Sequence, residues 1–478
     1  MNESGNTYFH SVGINSDACR GCIHCIKFCP MEAIRVRDRK AVITAERCID
    51  CAECVRNCTS HAAHAHVDNL SILKEHKYNV ALASEPLFGQ FKNMDDPNII
   101  LTALLELGFD DVFEVAVGAE LVANENRRFI ENHPEGWPYI NTACPAVVRL
   151  VRMRFTDLAD HLLPVQLPAE VTASLALEKA MKDTGLPASD IGIIHITPCP
   201  ALAAYSKEPL GIRKSKITSN IAIKSIYRLL LLKMPQVLDH VKPLSRASAY
   251  GLGVRSSGAE PEHIHKKYLS ANGVQNVLEI LEKMEDDMLE DFAFVNLFTC
   301  DGGCSGGALN VQNAYIARAD LRPLRAKLPR EIPKEDLPFQ KDISWNQRIQ
   351  YDNVYRLGST MQESMARLTA AERIEKEFPG LDCGSCGAPT CRALAEDIVQ
   401  GKAFREDCVF FLRDHVHALS KELDGISAEI TDTIEGSKGM PTKKQVNDLQ
   451  DFISKLQAEL NQLDIRYRDQ SGSEQSED

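Results

Sequence analysis

The chain has 478 residues, 44% hydrophobic and 25% charged, proportions of a globular protein of about three domains and not of a disordered or fibrous chain. With 54 Lys and Arg against 67 Asp and Glu the net charge is −13, which argues against nucleic acid as the main partner. The most apolar run, Leu229–Leu232, falls far short of the roughly 18 residues that signal a membrane span, and Met1–Ser11 lacks an apolar signal core, so the expected location is the cytoplasm.

Sixteen cysteines without an export signal are expected to be thiols or metal ligands, not disulfides. Residues 1–75 hold the first eight. Cys19, Cys22, Cys25 and Cys29, followed by Pro30, form one run; Cys48, Cys51, Cys54 and Cys58 form the second. Both have the spacing of bacterial dicluster ferredoxins, in which the fourth Cys of each run ligates the other cluster. One four-iron cluster is therefore expected on Cys19, Cys22, Cys25 and Cys58, and the other on Cys48, Cys51, Cys54 and Cys29. The competing reading, a pair of zinc knuckles, explains the duplicated spacing less well. Short strands are expected at Ala33–Val36 and Ala41–Thr44. His24, His61, His64 and His66 lie nearby and are read as surface or supporting residues, not as ligands.

Residues 76–345 alternate strand-like pieces (Val80–Ala83, Ile191–Ile196, Ala293–Leu297) with helical ones (Ile99–Leu107, Glu120–Glu131, Ala173–Lys182, Val274–Met288). That alternation predicts an α/β domain with largely parallel sheets. Four cysteines punctuate it. Cys144 precedes Pro145, Cys199 lies between Pro198 and Pro200, and Cys300 and Cys304 frame a glycine-rich turn. Each stands at the end of an apolar segment, where α/β domains build sites. Singly, each fits a buried core thiol; together they have the ligand count of one more four-iron cube.

Residues 346–412 begin with an expected helix at Asn346–Lys376, break at Pro379-Gly380, and continue into Cys383, Cys386, Cys391 and Cys408 with Gly384, Gly387 and Pro389. Zinc is the competing reading. The all-thiol set and its resemblance to the small four-Cys domain of corrinoid/iron–sulfur proteins favour a four-iron cluster. Residues 413–478 carry apolar residues at heptad steps: Val416, Leu419, Leu423, Ile426 and Ile430, then Val446, Leu449, Ile453, Leu456, Leu460, Leu463 and Tyr467. Either a helical hairpin on its own domain or a coiled coil that dimerises or docks a partner fits the pattern. Ser471–Asp478 reads as a disordered tail.

The segments around Cys144, Cys199, Cys300 and Cys304 resemble the three signature loops of the [FeFe]-hydrogenase large-subunit domain. Gly108–Phe113, Gly118–Leu121 and Gly185-Leu186 extend the resemblance over about residues 78–340. It implies a multidomain α/β protein: dicluster ferredoxin, hydrogenase-like domain, small four-Cys domain and coiled-coil-like tail. It further implies a cubane on Cys144, Cys199, Cys300 and Cys304, bridged through Cys304 to a di-iron unit with CO and cyanide ligands, and hydrogen and protons as substrates. The departures are specific. Ala143 stands where active members carry a proton-relay Cys, Thr197 and Phe298 stand at Met positions, and Leu202 stands where a Lys contacts a cyanide. Leu cannot replace an ammonium there. Lys207 is at the wrong spacing. These losses resemble the sensory branch of the family, in which the tail would relay a redox state to a signalling partner. Three functions follow as candidates: a hydrogen sensor or slow hydrogenase, a cubane-only iron–sulfur protein similar to eukaryotic hydrogenase-like assembly factors, and an electron-transfer subunit.

Overall fold

The computed structural model describes residues 9–254, 263–333, 342–351, 353–437, 443–444, 446–455 and 457–458. The chain forms two units: Met1–Arg356 with Gly387–Pro389, and Leu357–Cys386 with Thr390–Asp478.

The first unit opens with the Cys-rich region. Strands β1 (Val12–Ile14), β2 (Ile34–Arg37), β3 (Lys40–Ile43) and β4 (Ala63–Ala65) form two antiparallel ribbons, β1 with β4 and β2 with β3. Asp38 and Arg39 connect β2 to β3, both at positive φ, the two-residue hairpin turn whose twist matches its strands. The small core is Val12, Ile26, Ile34, Ala41 and Ala63, closed by Cys25 and Cys54. So little apolar surface stabilises a fold this size weakly, a deficit that metal clusters commonly offset.

The α/β part holds two parallel sheets, as the alternating pattern predicts. One has the order β6 (Asp111–Glu114), β5 (Tyr78–Ala83), β8 (Ile191–Thr197), β9 (Ser219–Ala222). The other has the order β10 (Tyr268–Asn272), β11 (Phe294–Phe298), β7 (Tyr139–Ile140). All seven residues of β8 are buried, the signature of a strand covered on both faces. His195 in its middle is a satisfied core histidine, its Nε2 2.7 Å from Ser84 Oγ. The helices Val115–Asn132 and Pro168–Thr184 approach closely at Gly118, where a Cβ would stand 2.3 Å from the Pro168 carbonyl oxygen.

The expected helix at Asn346–Lys376 forms only over Met361–Glu375. Residues ahead of it make tertiary instead of i−4 hydrogen bonds. Asn346 N–H donates to Gly211 O, Arg152 Nε to Gln350 O, Arg47 Nε to Val354 O, and Tyr355 Oη to Met31 O. Arg47 also stacks on the Tyr355 ring, 4.7 Å from its centroid, and burial pushes the Tyr355 phenol up to about 12. These contacts win over intrinsic helix propensity, which is a weak prior in such a setting.

The second unit contains the helices Met361–Glu375, Cys391–Val399 and Val409–Ser437. Arg392 ties the first two together through Glu375, at 3.1 Å. The first half of the heptad pattern falls in Val409–Ser437, and residues 446–455 are helical as well. Lys455 reaches Glu422 across 3.7 Å, which brings the two helical stretches together at that point. Val416 and Leu423 remain exposed. Leu456, Leu460, Leu463, Tyr467 and the tail Ser471–Asp478 lie outside the described residues, as does the side chain of Ile430. No described helix is long and apolar enough to cross a membrane.

Candidate iron–sulfur centres

Cys29, Cys48, Cys51 and Cys54 line one cavity of about 340 Å³, although Cys29 belongs to the other run. Burial pushes the Cys25 thiol up to about 11, and its charged neighbours in the same direction are Cys22, Cys19 and Cys58. Left-handed turns aim these thiols: Gly21 between Cys19 and Cys22, Asp50 and Ala52 on either side of Cys51. At Gly21 a Cβ would lie 2.4 Å from the Arg39 carbonyl oxygen, so only glycine fits. Backbone N–H groups face the sulfurs, Ala41 toward Cys19, Ala33 toward Cys29 and Ala63 toward Cys58, at 3.3–3.4 Å. Such donors stabilise thiolate in a metal site.

Burial drives Cys48, Cys51 and Cys29 upward as free thiols. Thiols packed against one another in an apolar setting are poor anions alone and good ligands once iron supplies the counter-charge. Among the described residues no three of His, Cys, Asp and Glu are set to hold a single metal ion. The all-thiol donor sets, with backbone N–H groups facing their sulfurs, fit iron–sulfur clusters. His64 and His66 meet each other edge to face at 4.7 Å, and neither lines the cavities described here.

The α/β part brings the next four cysteines together at the C-terminal ends of its strands. Cys144 follows β7 and caps the helix Pro145–Arg154; Cys199 follows β8 and caps Pro200–Lys207. Both sulfur-bearing residues thus sit at helix N-termini, where the peptide dipoles favour negative charge. Cys300 follows β11, and Cys304 lies in the turn Gly303–Gly306. All four line one cavity of about 370 Å³. Gly307 lets the second and third loops close on each other: a Cβ there would stand 2.3 Å from the Pro198 carbonyl oxygen. Burial, with Cys300 and Cys304 beside it, pushes the Cys199 thiol far up. Cys300 is raised by burial too, with Arg56 pulling the other way.

The three departures from the active family pattern that concern this cavity all face it: Ala143, Leu202 and Phe298. Thr197 instead turns its hydroxyl to the Cys199 carbonyl. Thr142 is turned away into tertiary contacts, its hydroxyl donating to Leu163 O and Val165 O, 21 and 23 residues on, and Lys207 donates to Thr218 O without lining the cavity. Ala143 also borders a second cavity of about 350 Å³ that presents the amides of Asn126, Asn141 and Asn296 and, among the described residues, no acid or base.

Two residues here escape sequence reasoning. Asp50, next to Cys51, forms a buried ion pair with Arg149 on the helix that Cys144 begins. Arg56, in the second Cys run, donates from Nη2 to the Cys300 sulfur across 2.7 Å. Both contacts join segments about a hundred or more residues apart, and no local spacing announces them.

The last set, Cys383, Cys386, Cys391 and Cys408, belongs to the second unit. Asp382 and Gly384 adopt positive φ. Asp382 accepts from the Cys391 N–H at 2.6 Å, Thr390 caps the helix Cys391–Val399, and Cys408 is buried.

Residues 78–209 match the family model of the iron only hydrogenase large subunit, C-terminal domain; Cys300 and Cys304 lie beyond that match. Residues 11–59 match the 4Fe-4S dicluster domain, and residues 378–410 an Fe-S cluster model. Iron hydrogenase 1 of Clostridium pasteurianum is 22% identical over 293 residues, 51% of this chain and 50% of that protein. The chain thus spans about half the length of that relative. A Drosophila sechellia protein named as a probable cytosolic Fe-S cluster assembly factor is 20% identical over 407 residues, 70% of this chain and 81% of that one. A solved [FeFe]-hydrogenase of Chlamydomonas reinhardtii aligns with a TM-score of 0.42 at 14% identity, over 55% of this chain and 90% of that one. The three family models, in the order that the cysteine sets follow along the chain, make it an [FeFe]-hydrogenase-like iron–sulfur protein.

Proposed function

We propose that this chain is a redox or hydrogen sensor of low turnover, acting in the cytoplasm. Four-iron clusters are assigned to Cys19, Cys22, Cys25 and Cys58; to Cys29, Cys48, Cys51 and Cys54; to Cys144, Cys199, Cys300 and Cys304; and to Cys383, Cys386, Cys391 and Cys408. Cys304 is the residue through which a di-iron unit would attach, and that unit would supply the hydrogen chemistry. The observation that carries the reading is the position of Cys51, which lines both the cavity of its own set and that of Cys144, Cys199, Cys300 and Cys304. Electrons thereby have a short route between the ferredoxin-type clusters and the hydrogenase-like centre. Ala143, Leu202 and Phe298 offer no proton donor on that cavity. A positioned acid or base typically contributes ~10²–10⁴-fold to rate, so slow turnover follows. The helical tail, with Val416 and Leu423 exposed, suits a signalling or redox partner, or a second copy of the chain.

A second reading, a cubane-only protein of electron transfer or iron–sulfur assembly, has its own observation. Among the described residues the cavity is lined by Leu202 and no cation, Arg56 meeting Cys300 without being one of the lining residues, so an anionic cyanide ligand would lack a partner there. Infrared spectroscopy of protein produced anaerobically with hydrogenase maturases separates the two. Bands of iron-bound CO and cyanide that shift under hydrogen support the sensor. Protein carrying about sixteen irons without such bands refutes it and leaves the cubane-only reading.

A further inference from the structure

Arg56 stands between two of the proposed clusters. Its Nη2 donates to Cys300 Sγ at 2.7 Å and to Gly306 O at 3.2 Å. Its Nη1 donates to Cys51 O at 3.2 Å and pairs with Glu53. One guanidinium therefore touches a thiol of the hydrogenase-like set and the backbone of a thiol in the neighbouring set. The side chain is 24% exposed, shielded enough for its field to reach the sulfurs and open enough for water to weaken it. It is a cationic group that Cys300 faces, beside a cavity lined, apart from its cysteines, by apolar residues, Thr299 and the paired Asp50.

A four-iron cluster gains one negative charge on reduction, and hydrogen bonds to its cysteine sulfurs are a principal control of its potential. A charged donor at 2.7 Å stabilises the reduced form more than the oxidised one. The fork geometry lets Arg hold the sulfur and the Gly306 carbonyl at once, which a Lys cannot do. Glu53, paired to the same guanidinium, opposes the effect. We infer that Arg56, opposed by Glu53, sets the reduction potential of the cluster on Cys144, Cys199, Cys300 and Cys304, holding the electron there and not on the ferredoxin side. This rests on the proposed cluster at those four cysteines.

The test is an anaerobic redox titration of the full iron-loaded chain, followed by electron paramagnetic resonance. The signal of interest is the one lost in Cys300→Ser. In Arg56→Gln the equilibrium constant for reducing that cluster falls about tenfold, a shift of 59 mV to lower potential for one electron. Arg56→Lys recovers part of it, and Glu53→Gln moves the potential the opposite way. A merely structural role would move Arg56→Gln and Glu53→Gln in the same direction. That result, an unchanged potential in Arg56→Gln, or a loss of iron in it, overturns the inference. A Cys300→Ser protein that loses neither signal nor iron refutes the assignment of the cluster itself, and the inference with it.

Discussion

The buried pair Asp50–Arg149 joins the loop carrying Cys51 to the helix begun by Cys144, and it gives the sharpest stability prediction. Both residues are 1% exposed. Asp50 Oδ1 accepts from the Ser11 and Val12 N–H groups at 2.7 and 3.1 Å, and Oδ2 from Arg149 Nη1 at 2.5 Å. Arg149 has a looser second carboxylate, Glu208 at 4.0 Å. Asp50→Asn keeps the Oδ1 acceptor and tolerates the φ of +56° found there, but turns an amide donor toward the guanidinium. Removing one partner of a buried pair costs about 3–5 kcal/mol, because the other charge is left uncompensated. Arg149→Met falls in the same range. In the double variant no lone charge remains, and replacing such a pair with uncharged side chains is often near neutral. The double variant should therefore cost no more than either single, a coupling of about 3 kcal/mol or more. The assay is thermal unfolding of the iron-loaded chain, read as the midpoint of the transition in which visible cluster absorbance is lost. At about 1.3 °C per kcal/mol for a unit of this size, each single lowers that midpoint by about 5 °C and the double by no more. Additive shifts, or singles that leave the midpoint unmoved, would refute the claim that this pair is coupled.

The crossed ligand sets predict a pattern in iron content. Cys29→Ser with Cys54→Ser should lose about four irons, the same as either alone, while Cys29→Ser with Cys25→Ser should lose about eight; iron analysis giving the reverse would restore an uncrossed arrangement. Gly307→Ala pushes the loop of Cys304 off the Pro198 carbonyl, an overpacking of about 1–3 kcal/mol. It should lower occupancy of that cluster alone, seen as loss of its resonance signal with the ferredoxin-type signals intact. Glu170 is buried and accepts from Ser215 Oγ at 2.6 Å and Lys216 N–H at 2.5 Å, yet burial holds its carboxyl above the usual range. A folded-state pKa raised above the unfolded value contributes stability that is present at low pH and lost as pH rises through the raised value. The stability of Glu170→Gln relative to wild type should therefore improve as pH rises above the ordinary Glu value of about 4.3; a gap that widens against the variant in urea unfolding would contradict this.

The grouping of the cysteines is legible in short spacings. A two-residue gap is a turn, a duplicated gap leads to the expectation of two clusters with Cys29 and Cys58 exchanged, and the structure sets Cys29 with Cys48, Cys51 and Cys54 around one cavity. The parallel sheets are legible because β8 is mostly apolar, His195 and Thr197 excepted, and is buried throughout. Cys144, Cys199, Cys300 and Cys304 were found by their place at strand ends, and the structure sets all four around one cavity. Failure came where tertiary contacts decide. The segment ahead of Met361 has helical composition, yet Gln350 and Val354 give their carbonyls to Arg152 and Arg47. Arg56 reads locally as the i+3 partner of Glu53, which it is, and its second partner lies 244 residues away.

The electrostatics of the hydrogenase-like cavity point one way. Four thiolates around a cluster concentrate negative charge in an apolar surround, and burial of that kind requires compensation. This chain supplies it from the helix N-termini at Cys144 and Cys199 and from the Arg56 guanidinium beside Cys300. All three act on the cubane thiols. None is a group that gives up a proton near neutral pH: burial works against the charge on Arg56, but the negative charges of Cys300 and Glu53 beside it outweigh burial and leave it more firmly protonated than usual. The lining residues Ala143, Leu202 and Phe298 are inert, and the lining acid, Asp50, is committed to Arg149. The amide-lined cavity beyond Ala143 adds Asn126, Asn141 and Asn296, which do not titrate. A centre furnished in this way is equipped to accept and hold an electron and poorly equipped to move a proton. That asymmetry is what a sensor or relay needs, and what a fast hydrogenase, which must pair each electron with a proton, cannot use.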